Sequence, residues 1–413
     1  MKRLKNHAPP TAASAALIVA AALFVGCREP ESVIAAREVN AIVFDLRDRV
    51  SNPKAVDEAA ASLAPRGALA SHHLLDVLCD RDADVRRAAA ALLGRAGYAP
   101  AVPSLTGTLK DPDPRVRAEA ADALRRIRDA RAIEPLAARL KDSMPDVRIE
   151  AARALGAIAD VRSMDPLLAA VTEEYPPSVR KAVAEALQAL REAHGPDLFF
   201  EAMAGTDPLA CQGAALMLSA IDDPRADDAL LKALGNEAPG VRATAAWALG
   251  KRGTKGAVEP LLAALEEKVP EVRGSAAAAL GILGDPRAVP PLMARMADGN
   301  RRVERAVMQA LVDLGEPAVE PLIKCLGSRD AEIRLKAVWA LGRINDPRAI
   351  RPLIDRIKDS DSRVVRWAGD SLVKITGYQR EPVLEYWEKW WQENKDRFQT
   401  DKAPTGQARP SAG

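Results

Sequence analysis

Few residues of this chain are equipped for chemistry, and their spacing narrows what they can do. A metal site built on a helix needs ligands three or four residues apart, so that both leave the same face. The four histidines do not supply that: His7 stands near the start, His72 and His73 are adjacent, and His194 is followed by Gly195. Adjacent helical positions diverge by about 100°, and no histidine is followed by glutamate. No P-loop, glycine-rich dinucleotide turn or nucleophile elbow occurs. The expectation is no catalytic residue, no metal and no cofactor. What does recur is arginine, at Arg86, Arg117, Arg148, Arg180, Arg242, Arg273 and Arg334. Such a row is either an anion-binding ladder or a ladder of internal ties to an aspartate or a loop carbonyl of the same or the next repeat. Asp84, Asp113 and Asp146, just upstream, favour internal ties.

The elements that position these arginines follow from what precedes each one. An aliphatic landmark recurs at Val85, Val116, Val147, Val179, Val241, Val272, Val303, Ile333 and Val364. Its spacing is 30 to 32 residues, with one gap of 62 that holds a degenerate unit centred on Ala210. Four residues on stands a small side chain (Ala120, Ala151, Ala245, Ala276, Ala337), and eight on a leucine (Leu124, Leu155, Leu249, Leu280, Leu341). Positions 0, +4, +7 and +8 share one helical face. Gly94, Gly156, Gly250, Gly281 and Gly342 at +9 read as left-handed C-caps. A second helix has its own punctuation: Asp223-Pro224-Arg225, Asp285-Pro286-Arg287 and Asp346-Pro347-Arg348 place a capping carboxylate before a proline. Pro-Leu pairs follow, from Pro135-Leu136 to Pro352-Leu353. The unit is a helical hairpin of 31 residues, and about ten fill residues 67–376. One hairpin cannot bury both faces, whereas stacked neighbours can. The fold class expected is all-α, an α-solenoid.

The string Val241-Arg242-Ala243-Thr244-Ala245-Ala246-Trp247-Ala248-Leu249-Gly250 resembles HEAT-like repeats of the short class first associated with phycobiliprotein lyases. The resemblance implies a right-handed stack whose second helices line a concave surface. The row at +6 lies about 145° from the centre of the buried face. It carries Trp247 and Trp339, which become candidates for partner contact, because tryptophan dominates interface hot spots. Three helix layers of about 10 Å separate them by roughly 30 Å, a span that suits an extended protein partner better than one small ligand.

The ends are expected to be capped. Residues 27–66 hold a tether and an amphipathic helix, Glu31 to Val50, running through Ala35, Val39, Ile42 or Val43, Leu46 and Val50. Residues 377–398 form a tryptophan-rich helix, in which Trp387, Trp391 and Phe398 share a covering face. Tyr386 and Trp390 fall on another flank and are further candidates for partner contact. Residues 399–413 are rich in proline, glycine and serine and are expected to be disordered.

Residues 1–26 read as a signal peptide, with Lys2, Arg3 and Lys5 ahead of an apolar run to Val25. Leu23-Phe24-Val25-Gly26-Cys27 resembles the lipobox of bacterial lipoproteins, which implies cleavage before Cys27 and a lipid on its thiol. With Arg28 in place of aspartate, the same resemblance implies the outer membrane of the cell envelope before the inner. Charge is nearly balanced, 59 Lys+Arg against 57 Asp+Glu, so a nucleic-acid partner is not expected. Cys79, Cys211 and Cys325 lie about four repeats apart, too far for a disulfide. The function expected is a non-enzymatic, membrane-tethered scaffold that binds another protein. The alternatives are a chromophore-lyase-like enzyme or assembly factor, implied by repeat resemblance alone, and a cell-wall or polysaccharide-binding lipoprotein.

Overall fold

The computed structural model describes residues 29–171 and 175–398, and every regular element among them is helical. The signal peptide, Cys27 and the segment 399–413 lie outside the described residues. The chain divides into two compact units, residues 1–198 and 199–413. Each is an α-solenoid of stacked helical hairpins.

The N-terminal unit contains α1 (Glu31–Leu46), α2 (Pro53–Leu63), α3 (Gly67–Val77), α4 (Ala83–Ala96), α5 (Val102–Thr108), α6 (Pro114–Ile127), α7 (Ile133–Arg139), α8 (Pro145–Ile158), α9 (Met164–Ala169) and α10 (Pro177–His194). Helix α11 (Asp197–Met203) stands at the boundary. The C-terminal unit continues with α12 (Pro208–Leu218), α13 (Arg225–Ala233), α14 (Pro239–Arg252), α15 (Val258–Ala264), α16 (Pro270–Leu283), α17 (Val289–Ala294), α18 (Arg301–Leu314), α19 (Glu316–Cys325), α20 (Ala331–Ile344), α21 (Ile350–Asp355), α22 (Ser362–Thr376) and α23 (Leu384–Phe398). Within each hairpin a first helix, commonly six or seven residues long, precedes a second helix of about fourteen.

Caps start these helices where the composition says they should. Asp113, Asp330 and Asp361 each accept a backbone N–H of the first turn of α6, α20 and α22. Asp285 and Asp346 cap a single 3₁₀ turn that feeds the first helix. Isolated helices of six or seven residues are not stable in water, so packing must hold α7, α15, α17 and α21. The leucine after each recurrent proline does this: Leu136, Leu261, Leu292 and Leu353 are wholly buried. Each such burial contributes about 1.5–3 kcal/mol. On the second helices the +8 leucines Leu93, Leu124, Leu155, Leu249, Leu280, Leu341 and Leu372 are also wholly buried.

The glycines at +9 are not C-caps. Gly94, Gly156, Gly250, Gly281 and Gly342 lie inside their helices and are buried. A Cβ on Gly250 would sit 2.6 Å from the Cα of Ala279 in the next second helix, and one on Gly281 would sit 2.6 Å from that of Ala310. These glycines let neighbouring second helices pack backbone against backbone. The left-handed caps come three residues later, at Gly97, Gly253 and Gly284, and also at Arg128, Ala159 and Asn345, which are not glycine.

The N-terminal end also differs from expectation. Two helices, not one, precede residue 67. Helix α1 buries Ala35, Val39, Val43 and Leu46, while α2 buries Ala55, Val56 and Leu63. The alanine-rich α2 carries no repeat landmark, but Asn52-Pro53 is a readable start: the Asn52 side chain accepts the Lys54 amide.

Candidate functional site

The arginine row sits at the base of the second helices and is bound into the fold. Arg86 donates from Nε and Nη2 to the two carboxylate oxygens of Asp111 at 2.7 and 2.8 Å. Its Nη1 donates to the carbonyls of Asp80 and Arg81. The same grip repeats at Arg117–Asp142, Arg242–Glu267, Arg273–Asp298 and Arg334–Asp359. The carboxylate partner is always 25 residues downstream, in the loop of the next hairpin, and not the acid just upstream. Burial alone would raise the Asp111 and Asp359 carboxyls, but the facing Arg86 and Arg334 guanidiniums hold them below the usual range. Arg148 donates to the carbonyls of Asp142 and Ser143, and the 25-residue spacing falls on Glu173, outside the described residues. Arg180 takes the equivalent place in α10 and is half-buried. With these donors engaged, the five bidentate guanidiniums serve as ties between repeats. In the degenerate unit Cys211 takes the arginine's place, and its thiol donates to the Gly205 carbonyl at 3.4 Å.

The opposite face of the second helices carries the remaining candidates. Trp247 on α14 is 36% exposed, and Lys251 Nζ lies 5.0 Å from its ring centroid. Trp339 on α20 is half-buried, and the Arg343 guanidinium lies 5.4 Å from its ring. Both are tryptophan–cation pairs four residues apart, at +6 and +10 of their repeats. Trp367 on α22, 41% exposed, joins them and was missed from sequence. It stands at +3, about 60° around the helix from +6, and the same face argument would have found it. Ile282 on α16 is also exposed.

Helix α23 corrects one candidate. Trp390 is not on an exposed flank: it is buried, stacked on Tyr378 with centroids 6.1 Å apart and packed against Trp387 and Phe398. The segment between α22 and α23 places Tyr378 over the flank that periodicity leaves open. Trp387 is wholly buried and donates its indole N–H to the Glu381 carbonyl, and Trp391 is buried beside it. Glu388 reaches Arg351 of α21 at 2.7 Å. Tyr386 is exposed.

In the N-terminal unit the same face differs in chemistry. A groove of about 490 Å³ is lined by Asp122, Arg125, Glu150, Arg153 and Glu185. Its charges are paired internally, Asp122 with Arg125 and Arg126, and Glu150 with Arg153. Beside it, burial and the neighbouring Asp122 push the Glu119 carboxyl up to about 7, against the pull of Arg87 3.6 Å away. Among the described residues no cluster of three metal-ligating side chains occurs, and no helix is long and apolar enough to cross a membrane.

Residues 71–144, 134–205, 228–312 and 294–373 match HEAT repeats, together well over half of the chain. The chain belongs to the HEAT-repeat family. Solved structures similar to this HEAT-repeat protein include an engineered protein, at 23% identity and a TM-score of 0.36, covering 74% of this chain and 98% of that one. A mutant of Kap121p is 13% identical with a TM-score of 0.43, over 94% of this chain and 52% of that one. Human deoxyhypusine hydroxylase is 24% identical with a TM-score of 0.28, over 60% of this chain and 99% of that one. The comparison with curated proteins returned no match.

Proposed function

We propose that this HEAT-repeat protein is a non-enzymatic interaction scaffold, held at the cell envelope by a lipid on Cys27, whose ligand is another protein. The observation that carries this reading is the row of Trp247, Trp339 and Trp367 on the second-helix face, away from the arginine ties that build the stack. Exposed tryptophan is uncommon and is the side chain most enriched at interface hot spots. The row spans several repeats, which suits an elongated partner rather than a small molecule. The tether rests on the lipobox-like Leu23-Phe24-Val25-Gly26-Cys27, and Arg28 after it favours the outer membrane.

The test is crosslinking of the intact protein in its native cells, with captured chains identified by mass spectrometry. Recurrent capture of one envelope protein, reduced by Trp247→Ala or Trp339→Ala, is expected. Capture unchanged by either substitution would reject the face. Cys27→Ser is expected to release the protein from the membrane fraction, and retention there would reject the tether.

A further inference from the structure

The two units treat the same face differently, and the difference points to a ligand. In the N-terminal unit, charges on the second helices are neutralised by neighbours: Arg87 meets Glu119, Asp122 meets two arginines, and Lys181 lies near Glu185. In the C-terminal unit the exposed cations Arg305, Arg366 and Lys374 make no ion pair among the described residues. Lys251 and Arg343 there lie beside indole rings instead of carboxylates. The exposed anions Asp313 and Asp370 are fewer than these cations. An excess of positive charge therefore alternates with exposed apolar surface at Trp247, Ile282 and Trp367.

We propose that the face of α14, α16, α18, α20 and α22 docks an extended, acidic peptide segment that also carries apolar side chains. This rests on the interaction-scaffold reading and adds the partner's chemistry. Carboxylates of the segment meet Lys251, Arg343 and Arg366, and its apolar side chains lie beside Trp247, Trp339 and Trp367. A cation held over an indole keeps its outward N–H donors available, so one pair offers an apolar surface and a charge together. Three helix layers of 8–10 Å separate the first pair from the second. At about 3.3 Å per extended residue, roughly seven to nine residues bridge them. Shorter segments reach one pair only and lose the gain of simultaneous engagement.

The experiment is fluorescence anisotropy of the full chain with a labelled twelve-residue peptide alternating glutamate with phenylalanine or leucine. Comparison probes are the same peptide with lysine for glutamate, a five-residue version, and a single-stranded twelve-nucleotide DNA. The acidic twelve-mer is expected to bind at least tenfold tighter than the lysine and five-residue peptides, and more weakly as salt rises. Lys251→Glu with Arg343→Glu is expected to weaken it at least tenfold, and Arg153→Glu in the other unit to leave it unchanged. Both sites are exposed, and an unchanged circular dichroism melt checks that the variant folds. Equal binding of the lysine peptide, tighter binding of the DNA, or indifference to the double charge reversal would overturn the proposal. If the lysine peptide binds and hydrogen exchange maps it to α14–α22, only the acidic preference falls. If no peptide protects those helices and native crosslinks survive Trp247→Ala, the scaffold reading of this face falls with it.

Discussion

Gly250→Ala tests how the second helices are held together. The added Cβ would lie 2.6 Å from the Ala279 Cα and 2.7 Å from its Cβ. Carbon atoms in contact prefer about 3.5–4.0 Å, so α14 and α16 must part by about 1 Å. The obstacle is backbone, which cannot rotate away as a side chain can. Overpacking of this kind costs about 1–3 kcal/mol, while replacing a helical glycine by alanine returns about 0.5–1 kcal/mol. The net expectation is a loss of about 1–2 kcal/mol. Gly274→Ala is the control, because it lies in α16 with nothing within 4 Å of its added Cβ. That variant is expected to gain about 0.5–1 kcal/mol. Urea unfolding followed by far-ultraviolet circular dichroism gives both signs, and hydrogen exchange shows whether the loss is centred on α14 and α16. A Gly250→Ala protein as stable as the parent would refute backbone-limited packing.

Other substitutions test the remaining parts. Asp359→Ala removes the bidentate partner of Arg334 and is expected to lower the urea midpoint clearly, because it leaves that guanidinium without its carboxylate. Glu332→Ala removes one of the two carboxylate partners of the exposed Arg363 and leaves Asp361 in place, so the same urea titration is expected to move far less. Ala159 holds a left-handed φ of 54° at the end of α8, so Ala159→Gly is expected to raise stability by about 1 kcal/mol, read as an increased melting midpoint. Glu119 is protonated more readily folded, at about 7, than its ordinary 4.5. The folded state therefore binds the proton more tightly, and stability falls as pH rises between those values. Glu119→Gln is expected to remove that slope and to stabilise the protein at pH 8 by up to about 3 kcal/mol, with little change at pH 4; equal effects at both would contradict it.

The stack was legible in the sequence because its core is periodic. A leucine at +8 and a small residue at +4 recur wherever a second helix must bury one face, and those positions are wholly buried. The arginine partner was equally periodic, at Asp111, Asp142, Glu267, Asp298 and Asp359, one in the loop of each following repeat. The caps were misplaced because several units hold two glycines three residues apart, Gly94 with Gly97 and Gly250 with Gly253. One permits close approach and the other a positive φ, and residue type alone does not separate these roles. Trp390 could not be placed by helical periodicity, since its burial depends on the non-helical path that brings Tyr378 onto it. Trp367 was within reach, because +3 and +6 fall on the same side of the helix.

Protein binding by the second-helix face of the C-terminal unit is the proposal on which the function rests. Photo-crosslinking residues placed one at a time at Ile282 and Trp367, and at the exposed Val161 and Leu209 as comparison sites, test it directly in native cells. One recurrent adduct is expected from positions 282 and 367, lost on Trp247→Ala, and none from 161 or 209. Adducts from all four positions alike, or from 161 and 209 alone, would contradict it.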